Sequence, residues 1–175
     1  MTSNKPIPQG DTYHCGLYAL ANAWKLKGLD QLHLLEQNHY QIFESVLSRP
    51  LGTYESVTPQ LMDRVIEHIN DKKNSPFGDQ LTISPLFPTQ PKDIESFMRS
   101  VRFALKAGDV ILTGIKEKDV DLHWTLIRQT DPLSLFDSSG RDQPYPIGSY
   151  NITTCPVYPF ALLFYPEYSY RLSFT

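Results

Sequence analysis

A chain of 175 residues with 41% hydrophobic and 20% charged side chains is long enough to bury a core without disulfides or metals, and reads as one domain over 1–175. A net charge of −3 gives no electrostatic reason to expect a nucleic-acid partner, and no apolar run reaches the length that spans a bilayer. Two cysteines, Cys15 and Cys155, are too few for a disulfide framework and fit a reducing compartment.

The opening "MTSNKPIPQG" lacks a charged start followed by an apolar stretch, so the expected location is cytoplasmic, or outside by a signal-less route. From Cys15 to Leu26 the apolar Leu17, Leu20, Ala21 and Trp24 recur at helical spacing, with Asp11 and Thr12 as candidate caps and Gly28 as a stop. A second helical pattern between Asp30 and Leu47 aligns Leu35, His39, Ile42, Phe43 and Val46, and "SRPLG" breaks it. Thr58 before Pro59 caps a third helix carrying Leu61, Met62, Val65, Ile66 and Ile69. After a short apolar "LTIS", Pro91 opens a fourth helix with Ile94, Phe97, Met98, Val101, Ala104 and Leu105 inward, ended by Gly108.

The pattern then changes to strands: 109–115, 123–129, 133–137 and 160–166, the middle pair turning at "TDPL". Alternation of Tyr168, Tyr170, Leu172 and Phe174 suits one face of a terminal strand, with a tyrosine-lined binding surface as the other reading. The charged 116–121 segment is expected to be solvated, and its place just before His123 would suit a gate. Helices first and sheet second is an α+β arrangement.

Thiol catalysis needs a thiolate, a base, a group that orients the base, and donors for the developing oxyanion. Cys15 falls in the first turn of its helix, where unpaired N–H groups and the helix dipole favour negative charge. Gly16 beside it would let substrate approach the backbone. Gln9 stands six residues earlier, with Gly10 letting the loop turn, and its amide with the Cys15 N–H would make two oxyanion donors. His123 opens a strand, and Trp124 next to it would shield the histidine from water. A hairpin turning at Asp131-Pro132 returns residues 137–140 beside 123–126, so Asp137 reaches His123, whereas Asp131 lies about 20 Å away at the far end.

Each of these residues has a plainer reading. Cys15 alone would be a small core side chain, Asp137 an ordinary turn residue in "DSSG", and Gln9 a loop residue. His14 adjoins Cys15 but points about a hundred degrees away on a helix, so it is read as a surface or substrate-cleft residue. His33, His39 and His68 show no metal-ligand spacing. Cys155 is read as structural, and a Cys15–Cys155 bridge stays open from sequence.

The order Gln9, Cys15, His123, Asp137, with Gln-x5-Cys-Gly at a loop-to-helix entry and His and Asp on neighbouring strands, resembles the papain-like cysteine peptidase superfamily. The resemblance implies an N-terminal helical half carrying the cysteine, packed on a C-terminal antiparallel β-sheet. "HWTLI" and "LFDSSG" are also similar to segments of peptidases that process ubiquitin-like modifiers, although those carry His-Asp before Gln-Cys. The papain order is shared by bacterial peptidases that trim leaders at double-glycine sites. Departures are an Asp where papain has Asn, and the absence of a propeptide and of papain's disulfides. Compact enzymes of this kind resemble bacterial effectors.

The implied activity is hydrolysis of a peptide or isopeptide bond by Cys15, His123, Asp137 and Gln9. It needs no metal or organic cofactor, takes a protein or peptide substrate, and acts as a monomer. His14, Gly16 and Trp124 would border the cleft. Two alternatives use the same residues: a transglutaminase or glutamine deamidase, and a papain-like module that binds a protein without catalysis.

Overall fold

The computed structural model describes residues 5–29, 32–141, 143–155 and 160–175, and no side chain of residues 32–34. Among these residues the order is α1 (Cys15–Leu26), α2 (Leu32–Leu47), α3 (Pro59–Asn70), β1 (Leu81–Pro85), α4 (Ile94–Lys106), β2 (Val110–Glu117), β3 (Val120–Thr130), β4 (Leu133–Phe136), β5 (Tyr150–Ile152) and β6 (Leu162–Phe174). The architecture is α+β. The Asp30 start expected for the second helix lies outside the described residues.

Local chemistry accounts for the helix ends, and it corrects two expectations. Thr58 caps α3 as read, its side chain accepting from the Leu61 N–H, with Pro59 in the first turn. Helix α4 starts at Ile94 and not at Pro91: Asp93 stays extended, its carboxylate takes the Ser96 N–H, and Ser96 Oγ takes the Asp93 N–H in return. The N-cap of α1 is His14, with no side-chain cap. Neither Asp11 nor Thr12 fills that role, and the Thr12 hydroxyl donates instead to the Gln9 carbonyl.

The strands form one sheet in the order β1-β6-β2-β3-β4, antiparallel throughout that path, with β5 parallel to the first half of β6. The strand expected at 160–166 and the alternating tyrosine segment are a single strand, Leu162–Phe174. Its register against β2 jumps between Tyr165 and Ser169, leaving out 166–168. Pro166 has no N–H to give the ladder, and that loss falls inside the bulge. Residues 116–121 are no separate loop: β2 and β3 continue through them as a tight hairpin.

The sheet has a core on each face. Leu17, Leu20, Phe43, Met62 and Val65 of α1–α3 pack on Leu112, Trp124, Leu126, Tyr170 and Leu172. Phe97, Met98 and Val101 of α4 pack on Ile111, Ile115, Ile127, Leu135 and Phe164. Alternation along β3 puts Trp124 and Leu126 in the first core and Ile127 in the second. Tyr170 and Leu172 are buried in the first core with Tyr168 and Phe174 packed around them, which is the structural reading of that alternation. Among the described residues no helix is long and apolar enough to cross a membrane.

Candidate active site

Cys15 is the first residue of α1 and is half-buried. Its Sγ accepts from the backbone N–H of Trp124 at 3.5 Å, which fixes the helix tip against the edge of β3. Beyond Leu126–Phe136 the β3–β4 pairing ends, and the chain leaves the sheet at Asp137. His123 Nε2 lies 2.8 Å from Oδ2 and 3.1 Å from Oδ1 of that carboxylate. With Nε2 given to Asp137, Nδ1 is the ring nitrogen left free of that carboxylate, and the Cys15 sulfur is held at the neighbouring residue by the Trp124 N–H.

Electrostatics follow from this enclosure. Burial alone would strip the proton from His123, but the hydrogen bond to Asp137, and then that to Cys15, outweigh it and raise the imidazolium to about 9. Burial likewise pushes Asp137 up, and the His123 bond, the His123 charge and the Ser139 N–H at 2.7 Å overcome it, leaving the carboxyl below its ordinary value. The two effects describe an ion pair.

Gln9 is held from three sides. Its Oε1 accepts from the Ser138 hydroxyl at 2.7 Å, its Nε2 donates one hydrogen to the Thr12 carbonyl at 2.8 Å, and its backbone N–H donates to the Ser138 carbonyl. The segment is tied to α1 by buried Asn22, which exchanges hydrogen bonds with both the N–H and C=O of Ile7. Gly10 then turns with a φ of 60°, in the left-handed region that favours glycine. Sequence order thus brings Gln9, Cys15, His123 and Asp137 into one locality. Cys155 is a free thiol, as is Cys15.

The three residues expected along a substrate cleft are elsewhere. His14 is buried: Nε2–H donates to the Gly52 carbonyl and Nδ1 accepts from the Tyr40 hydroxyl, each at 2.7 Å. It joins α1 to α2 and to the loop after it, a contact that helix angles alone did not foretell. Gly16 is buried as well, and a Cβ there would stand 2.7 Å from Val57 Cγ1 and 2.9 Å from Met62 Cε. Its lack of a side chain serves helix packing and not substrate approach. Trp124 sends its ring into the helical core between Tyr168 and Tyr170, where Nε1 donates to the Val57 carbonyl. It does not cover the His123–Asp137 pair.

Sequence reasoning missed Asn22, Ser138 and the ion pair of Arg141 with Glu117. Arg141 is four residues beyond Asp137 and Glu117 lies in the charged run before His123, but only the hairpin register brings them together. Comparison of the chain with protein-family models, with curated proteins and with solved structures finds no match.

Proposed function

We propose that the chain is a papain-like cysteine hydrolase that cleaves a peptide or isopeptide bond. One observation supports this above the others: the buried His123 gives Nε2 to a buried carboxylate, and the sulfur of a helix-terminal cysteine is held by the N–H of the very next residue, Trp124.

In this reading His123 holds the Cys15 proton, and the thiolate attacks the scissile carbonyl. The oxyanion is met by the Cys15 N–H and by the Gln9 Nε2 hydrogen that Thr12 does not take. His123 passes the proton to the leaving amine, leaving a thioester on Cys15. Water then attacks the thioester, His123 takes its proton and returns it to sulfur, and a carboxylic acid departs. Asp137 keeps the ring oriented through both halves. A helix carrying Cys15 against a sheet carrying His123, with Asp137 just past the end of β4, supports the papain-like reading.

Peptides and ubiquitin-like proteins ending in a thiol-reactive electrophile test this directly. An adduct located on Cys15 by peptide mapping, absent in Cys15→Ala, supports it. An adduct on Cys155, or none with any probe, would overturn it. Ammonia release from a glutamine substrate without chain cleavage would reassign the same thioester chemistry to a deamidase.

A further inference from the structure

Behind Asp137 stands a second ion pair that the proposed steps do not use. Arg141 Nε lies 3.0 and 2.9 Å from the two Glu117 carboxylate oxygens, and Nη2 lies 2.6 Å from Oε2. Its remaining nitrogen, Nη1, reaches the other way, to 3.5 Å from Asp137 Oδ1 and 3.4 Å from His123 Nε2. Because the Nε2 hydrogen of His123 points at Asp137, Nη1 has no lone pair to bond there and acts on the ring only as a neighbouring positive charge.

The His123 imidazolium, Asp137 carboxylate, Arg141 guanidinium and Glu117 carboxylate therefore alternate in charge, with Arg141 Nη1 beside the ring as well as beside Asp137. An uncompensated guanidinium at this distance would favour neutral imidazole and break the pair with the thiolate. Glu117 supplies the compensation, and a bidentate fork is the geometry that holds a guanidinium rigidly. Tyr145 Oη adds a further contact at 3.5 Å to Glu117 Oε1. Among the described residues, the partner of His123 across β2 is apolar Ile115, and Lys116 and Asp121 on the hairpin pair with each other at 3.8 Å in solvent.

We propose that Glu117 and Arg141 are a positioning pair that sets the proton affinity of His123, Arg141 by fixing the Asp137 carboxylate and Glu117 by cancelling the charge Arg141 would otherwise present to the ring. This rests on the reading of Cys15 and His123 as the reacting pair. It assigns opposite electrostatic effects to the two partners of one salt bridge, which a merely structural bridge would not have.

The test is a pH titration of the His123 ring by nuclear magnetic resonance, with the signal assigned by its loss in His123→Gln. Glu117→Gln is expected to lower the midpoint by about one pH unit. Arg141→Gln is expected to leave it in place or raise it, and Arg141→Lys, which keeps the charge, to hold it close to wild type. Melting temperatures taken alongside identify a loosened loop, which would expose the ring and drive both glutamine variants down together toward an ordinary histidine value near ~6.5. That joint fall, or an unmoved midpoint in Glu117→Gln, would overturn the proposal. The ring is read directly, so an inert Cys15 would count against the hydrolase reading while the two midpoints still decide this one.

Discussion

Nε2 of His123 lies 2.8 Å from Oδ2 of Asp137, with the two side chains only 7% and 0% exposed. At that exposure water cannot readily replace the partner, so removing either one leaves a buried polar group without this hydrogen bond. The register of the β3–β4 hairpin creates the contact, and the tip of α1 is pinned beside it by the Trp124 N–H.

Gln9→Ala separates an oxyanion donor from a loop residue. Turnover of a peptide or modifier substrate is expected to fall on the order of 10²–10³. Alkylation of Cys15 by iodoacetamide, which passes through no oxyanion, should change little. Equal losses in both reactions would mean that Gln9 only shapes the loop.

Stability should fall toward alkaline pH. His123 keeps its proton to about 9 in the fold, against ~6.5 in an unfolded chain. A raised folded value contributes stability that is complete below ~6.5 and is lost as pH rises through the folded value. Asp137, shifted down, contributes stability present above its unfolded ~3.9 and lost on acidification. Melting temperature followed from neutral to alkaline pH should therefore decline, and His123→Gln should show a smaller decline.

A different histidine governs mild acid. His39 is wholly buried, donates Nδ1–H to the Leu35 carbonyl, and among the described residues has no partner at Nε2. Burial pushes it down to about 4, more than the Leu35 bond can offset. A folded value below the unfolded ~6.5 gives stability that is full above ~6.5 and drains as pH falls through about 4. Denaturant midpoints at mildly acidic and neutral pH should differ in wild type and converge in His39→Phe.

How much of this was legible in the chain depends on the range of the interaction. The helical periodicity around Leu17, Leu20 and Trp24, the Thr58-Pro59 cap and the Asp131-Pro132 turn are local, and they carried the α+β class and the approach of Asp137 to His123. The Asp93 cap was equally local, but Pro91 was the louder signal and drew the helix start three residues early. His14, Gly16 and Trp124 were misread because their environments come from the loop at 52–57, far off in sequence. Arg141 and Glu117 meet only through the sheet register. Burial made by distant segments leaves no pattern in the segment itself.

Gly16→Ala puts that last point to a test. The added methyl would stand within 2.7 Å of Val57 Cγ1, and overpacking a tight contact costs roughly 1–3 kcal/mol. Chemical unfolding should show that loss. A neutral effect would mean that α1 and the 52–57 loop can separate without penalty.

If Cys15 and His123 form an activated pair, the rate of Cys15 alkylation by iodoacetamide against pH, in wild type and in His123→Ala, reads it directly. The expected wild-type profile shows fast alkylation below neutral pH that persists while His123 remains protonated, and that low-pH limb should vanish in His123→Ala. A thiol that reacts only at alkaline pH, with the same profile in both proteins, would mean that His123 does not activate Cys15.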